Sequence, residues 1–208
     1  MITLHPRILE LLSSRICHDL VSPVGAINNG IELMTELGDD AGGDAVDLIS
    51  SSVEQAAIRL KCFRLAYGAA GSQGGVGFKD VHEIFNQWVS GCRSELVWDL
   101  NTCMGVESPD GFMKVLLNLL MFAEECNPGN GEIIVEPAAD FQGMKITVTG
   151  RPAFRDGAQD ALEGTVDEEN LDARSVHAYI TGVFAKMFSV SIQHSQASPE
   201  KLQFSVTF

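Results

Sequence analysis

Arg15-Ile16-Cys17-His18-Asp19-Leu20-Val21-Ser22-Pro23-Val24-Gly25-Ala26-Ile27-Asn28-Asn29 lies inside a run from His5 to Leu37 whose apolar residues recur at steps of three or four: Ile8, Leu12, Ile16, Leu20, Val24, Ile27, Ile31 and Met34. That spacing predicts one long amphipathic helix with a single buried stripe. Successive residues turn by about 100°, so His18 lies about 200° from Ile16 and from Leu20, on the side opposite the stripe. Ser14, Ser22, Gly25 and Asn29 share its face and are all small or polar. The reading therefore puts His18 in solvent, on a face that another protein can approach closely. Ser14, Arg15, Ser22, Gly25 and Asn29 are the expected docking residues. Pro23 removes a backbone donor one turn below and should bend the helix there.

The helix breaks at Gly38-Asp39-Asp40-Ala41-Gly42-Gly43, and a second helical pattern begins near Asp44. Its apolar positions, Val46, Ile49, Val53, Ala56, Leu60, Phe63 and Tyr67, alternate steps of three and four, the heptad spacing of a supercoiled seam. Two such helices form a hairpin whose apolar stripes cannot bury each other fully, and pairing of two hairpins into a dimeric four-helix bundle is the simplest remedy. The glycine-rich stretch Gly68 to Gly77 reads as an interdomain linker. It is a poor phosphate loop, because no strand precedes it and no lysine follows at the required spacing. The division expected is residues 1–71, a helical hairpin, and residues 78–208, a second domain.

Beyond the linker the pattern is mixed. Helices are expected over about Lys79 to Arg93, Pro109 to Cys126 and Leu171 to Phe188. Strands are expected near Glu95 to Asp99, Glu132 to Glu136, Met144 to Thr149, Val190 to His194 and Leu202 to Phe208, with an acidic loop over Arg151 to Asn170. The fold class is α+β, an N-terminal hairpin followed by a two-layer α/β sandwich.

Composition excludes several functions. Asp and Glu number 28 against 14 Lys and Arg, a formal charge of -14, which is the wrong sign for tracking nucleic acid. The five cysteines (Cys17, Cys62, Cys92, Cys103, Cys126) are odd in number and form no C-x-x-C pair, so neither a disulfide framework nor a zinc site is expected. Cys17, beside His18, is read as a bundle-packing residue. His5, His82, His177 and His194 have no metal-ligand spacing. No membrane-length apolar run and no leader-like N-terminus occur, and the expected location is the cytoplasm.

An exposed imidazole is suited to reversible phosphoryl transfer, since its neutral form leaves one ring nitrogen free as a nucleophile at pH 7. The other nitrogen must hold the proton. A carboxylate at the next position can accept that hydrogen bond and stabilise positive charge on the ring, the role expected of Asp19.

His18-Asp19-Leu20-Val21-Ser22-Pro23 resembles the phosphoacceptor box of sensor histidine kinases: His, acid, Leu, then Pro five residues after the His. The longer run from Arg15 to Leu33, together with Phe63-Arg64-Leu65-Ala66-Tyr67-Gly68-Ala69-Ala70, resembles the ChpT-type histidine phosphotransferases. The resemblance implies a kinase-like dimerisation hairpin joined to a degenerate ATPase-like (Bergerat-type) domain. It implies a phosphotransferase with a phosphohistidine intermediate on His18. The phosphoryl group would come from the receiver of a hybrid histidine kinase and pass to response regulators such as CtrA-like and CpdR-like ones. No cofactor would be bound, and magnesium would belong to the partner receiver.

The kinase motifs have decayed. Asn118-Leu119-Leu120-Met121-Phe122-Ala123 resembles a kinase N-box, but Phe122 stands where the metal-holding asparagine would be, and a phenyl ring supplies no oxygen ligand. After the strand Ile146 to Thr149 the chain runs Gly150-Arg151-Pro152-Ala153-Phe154, without the adenine-reading acid. Arg174-Ser175-Val176-His177-Ala178-Tyr179 replaces the later glycine-rich turn. Autophosphorylation from ATP is not expected. Two alternatives remain open on the sequence: a non-catalytic protein that sequesters a receiver or kinase, and an atypical active kinase.

Overall fold

The computed structural model describes residues 5–37, 42–71 and 75–208. Most of the expected break after Leu37 and the centre of the glycine-rich stretch lie outside the described residues. The chain opens with α1 (Pro6–Leu37) and α2 (Gly42–Ala66), packed side by side as a hairpin. Helix α1 continues through Pro23, whose ring is buried.

The seam between the two helices is made of small residues. Gly30, Ala45 and Ser52 are buried, and a Cβ built on Gly30 would stand 2.5 Å from Ile49 Cγ1, so only glycine permits that approach. The predicted stripes are thus divided. Ile8, Phe63 and their neighbours are buried at one end, whereas Val24 (50% exposed), Ile31 (51%), Val46 (46%), Val53 (49%) and Leu60 (55%) face solvent. Within one hairpin these larger residues stay uncovered, as two stripes that cannot bury each other fully would leave them.

The rest of the chain is α3 (Phe78–Val89), β1 (Ser94–Val97), α4 (Phe112–Glu125), β2 (Gly131–Pro137), β3 (Gly143–Thr149), α5 (Ala158–Glu163), α6 (Val176–Met187), β4 (Ser191–Ser198) and β5 (Lys201–Thr207). The sheet order is β1-β2-β3-β5-β4, with β1 parallel to β2 and the other pairs antiparallel. Alternate residues of its strands, Ile133 and Val135, Met144, Ile146 and Val148, Leu202, Phe204 and Val206, are buried, as a sheet covered on one face requires. Helix α4 is buried from Phe112 to Ala123 and is the centre of the core. The α+β class read from the sequence is the one found. One element was not expected: α5 lies in the segment read as a loop, with Ala158, Ala161 and Leu162 buried at helical spacing between Gly157 (φ +73°) and Gly164 (φ +70°).

Hairpin and sandwich share one core, in which Ile8, Cys62, Phe63, Leu65 and Ala66 pack with α4, α6 and the sheet. Helix α4 also clamps the end of α2. Asn118 Nδ2 donates to the carbonyls of Ala66 at 2.9 Å and Lys114 at 2.8 Å, and Lys114 Nζ donates to the Gly68 carbonyl at 2.6 Å while lying 4.5 Å over the Phe184 ring. Burial lowers the Lys114 pKa. Gly71 is buried, and a Cβ there would stand 2.2 Å from the Leu65 carbonyl oxygen. The first part of the expected linker, Gly68 to Gly71, is therefore a packed junction. Carbonyls at the C-terminal end of a helix lack intrahelical partners, and at the buried end of α2 the side chains of α4 supply them. Among the described residues, no helix is long and apolar enough to cross a membrane.

Candidate functional site

His18 projects from α1 with 89% of its side chain exposed. Its Nδ1 lies 3.3 Å from Asp19 Oδ1, and Nε2 has no protein partner among the described residues. Neighbouring residues on a helix diverge by about 100°, so this contact is made by a short side chain folding back toward the ring. The other Asp19 oxygen, Oδ2, lies 3.9 Å from Nη1 of Arg59 on α2, whose guanidinium sits 5.4 Å over the Trp88 ring on α3.

Behind α1 the charges are paired. Arg15 forms an ion pair with Glu125 at the end of α4, and the same Glu125 oxygen accepts from His177 Nδ1 at 2.6 Å. Burial opposes charge on Glu125, but His177 and Arg15 more than offset it and hold its carboxyl below the usual range. Burial likewise opposes the charge on Arg15, and Glu125, Tyr67 and Asp19 reverse the balance. His177 is fully buried, and desolvation lowers its pKa despite Glu125. Tyr67 is pushed up by burial and packs edge-on to the His177 ring at 6.0 Å.

A groove of about 530 Å³ runs beside His18, lined also by Ser14, Arg15, Asp19, Glu125, Arg155 and Arg174. Arg155 and Arg174 are exposed and make no ion pair among the described residues. In so acidic a chain, two uncommitted cations beside the histidine give the groove a local sign that the net charge hides.

Of the expected docking residues, Ser14, Ser22 and Asn29 are exposed, and Gly25 is half-buried with nothing within 4 Å of a built Cβ. Only Ser14 and Arg15 share the groove with His18; Asn29 lies about 16 Å further along the helix. Arg15 turns inward, its charge taken up by Glu125. Cys17 is exposed in the single chain and stands seven residues before Val24, in line with the exposed apolar row of α1. The sequence reading missed Arg59, Trp88, Glu125, Arg155 and Arg174 as neighbours of the site, and it discounted His177. A histidine between Val176 and Ala178 on an apolar helix pointed to burial, but nothing in the sequence identified Glu125 as its partner.

The residues compared above with kinase nucleotide motifs are packed by aromatic rings. Phe122 is 2% exposed and packs against Phe154, Phe204 and His177, with ring centroids 5.9 to 6.4 Å apart. Phe154 also lies 4.9 Å from the His194 ring. A buried phenyl ring offers no oxygen ligand, so Phe122 and its aromatic neighbours do not fit a magnesium-bound nucleotide.

Residues 78–200 match the histidine phosphotransferase C-terminal domain family. The protein phosphotransferase ChpT of Brucella abortus (strain 2308) is 37% identical over 203 residues, covering 94% of this chain and 92% of that protein. The solved structure of a bacterial phosphotransferase superposes with a TM-score of 0.80 at 34% identity, covering 99% of this chain and 98% of that one. The histidine kinase AdeS of Acinetobacter baumannii, at 14% identity and a TM-score of 0.44 over 92% of this chain and 96% of that one, is too distant to bear on the site. A full-length match at this identity, on a chain that carries an exposed histidine with an adjacent acid, shows that this protein belongs to the histidine phosphotransferase family.

Proposed function

We propose that this protein carries phosphoryl groups through a multistep phosphorelay on His18. Nε2 attacks the phosphorus of an aspartyl phosphate on one receiver domain; the N–P bond forms as the P–O bond to the aspartate breaks, and the receiver carboxylate leaves. Asp19 holds the Nδ1 proton throughout and stabilises the positive ring. The reverse step hands the group to the aspartate of a second receiver. The observation that carries this reading is His18 itself, 89% exposed with its Nδ1 against a carboxylate and its Nε2 without a partner among the described residues.

The partners are the receiver of a hybrid histidine kinase and response regulators, of CtrA-like and CpdR-like kind by resemblance, and the relay is cytoplasmic. Magnesium and the accepting aspartate belong to the receiver, so this chain supplies position and one nucleophile. Ser14, Ser22, Gly25 and Asn29 form the face on which a receiver rests, and Arg155 and Arg174 border the space that the phosphoryl group enters. The hairpin (1–71) is the transfer unit; residues 78–208 hold it in place. Two chains pair through the exposed row of Val24, Ile31, Val46, Val53 and Leu60, whose seven-residue spacing within each helix suits a four-helix bundle.

Labelled ATP alone and a labelled, phosphorylated receiver separate the readings. Under this proposal the receiver labels the protein and ATP does not. Labelling from ATP would establish a kinase, and receiver binding without labelling would establish a sequestering protein.

A further inference from the structure

Asp19 is held on both sides. Oδ1 faces His18 at 3.3 Å and Oδ2 faces Arg59 at 3.9 Å, so the carboxylate bridges the α1 imidazole and a cation on α2. A lone aspartate beside a solvent-exposed histidine would otherwise rotate freely between ring and water. Arg59 has its own anchor. Its guanidinium lies 5.4 Å over Trp88, whose ring meets Phe63 of the core edge-on at 5.9 Å. A planar guanidinium stacked on indole loses much of its rotational freedom and keeps its charge, which lysine would do less well.

Among the described residues, Arg59 is the cation in ion-pair contact with the Asp19 carboxylate. Arg15 is paired with Glu125, and Arg155 and Arg174 line the His18 groove. Arg59 and Trp88 line a second groove of about 430 Å³ with Glu54 and Glu124, and Asp19 and Arg15 border both grooves.

We propose that Arg59, held by Trp88, is a positioning residue that fixes Asp19 against Nδ1 of His18 and so sets which ring nitrogen carries the proton. The proposal deepens the phosphotransfer reading and rests on it for its kinetic consequence. It also gives the second half of the chain a role at the histidine: α3, through Trp88, selects the tautomer that leaves Nε2 free to attack.

The ring tautomer of His18 in 15N-labelled, unphosphorylated protein, read by NMR above the titration of the ring, tests this directly. The Nδ1–H form should dominate in the wild type and lose ground to Nε2–H in Arg59→Gln. Arg59→Lys should be intermediate, and Trp88→Leu should shift the same way. In transfer from a phosphorylated receiver, Arg59→Gln should slow the saturated rate about tenfold with half-saturation unchanged. In an Asp19→Asn background the same substitution should cost nothing further. An unchanged tautomer ratio in Arg59→Gln, or a full extra loss in Asp19→Asn, overturns the proposal. If the wild type accepted no phosphoryl group from any receiver, the phosphotransfer reading would fail, and the tautomer measurement would still decide the role of Arg59.

Discussion

Glu125 on α4 accepts a hydrogen bond from Nδ1 of His177 on α6 at 2.6 Å with the oxygen it also turns to Arg15 on α1. Three helices from both halves of the chain meet at one carboxylate, one turn below the candidate phosphoacceptor. The pair has a pH signature. Unfolded His177 takes up a proton near its ordinary value of 6.5, whereas burial keeps the folded ring neutral to lower pH. The unfolded chain therefore binds the extra proton, and stability falls as pH drops below about 6.5. Glu125 adds to this at lower pH: its depressed value contributes stability above the ordinary 4.5 that is lost as pH falls through the folded value. The melting temperature should fall between pH 6.5 and pH 5, and His177→Gln should flatten that part of the curve. Equal slopes in the two proteins would show that His177 is not responsible.

Asn118 should be a stability residue with no chemical duty. Its amide is fully buried and joins α4 to the end of α2 through the Ala66 carbonyl. Asn118→Ala leaves that carbonyl without its donor and should cost about 1–3 kcal/mol in urea or thermal unfolding. The rate of transfer per folded molecule should be little changed.

The exposed heptad row predicts self-association. Val53→Glu with Leu60→Glu places charge in the proposed seam while touching nothing in the single-chain core. Light scattering should give a dimer mass for the wild type and a monomer mass for the double variant, with the helical circular dichroism retained. A wild type that is monomeric at tens of micromolar would exclude the bundle.

Gly25 separates docking from folding. A built Cβ meets nothing there, so Gly25→Ala should raise stability by up to about 1 kcal/mol through helix propensity alone. Gly25→Trp should fold equally well yet slow transfer at least about tenfold, a loss of roughly 1.4 kcal/mol in productive docking. Normal transfer in that variant would move the docking face elsewhere.

Local regularities were legible in the sequence, and distant pairings were not. Steps of three and four located both hairpin helices, and helical arithmetic put His18 on the far side from Ile16 because that calculation needs only one helix. The same arithmetic could not tell that Gly30 lets α2 approach α1 closely, a contact that leaves Val24, Ile31, Val53 and Leu60 exposed within one hairpin. Helix α5 escaped because six residues give too few turns for a period to emerge. Arg59, Trp88, Glu125 and His177 lie on four separate elements, and only the folded core brings their side chains to Asp19 and Arg15.

His18 carries the whole account and, being solvent-exposed, can be replaced without disturbing the fold. A labelled, phosphorylated receiver is mixed with wild type and with His18→Ala, and acid-labile, base-stable phosphate on the protein is followed before and after a second receiver is added. The account predicts rapid labelling of the wild type, discharge to the second receiver, and neither step in His18→Ala. Equal phosphate relay by His18→Ala, with its fold confirmed by melting, would contradict it.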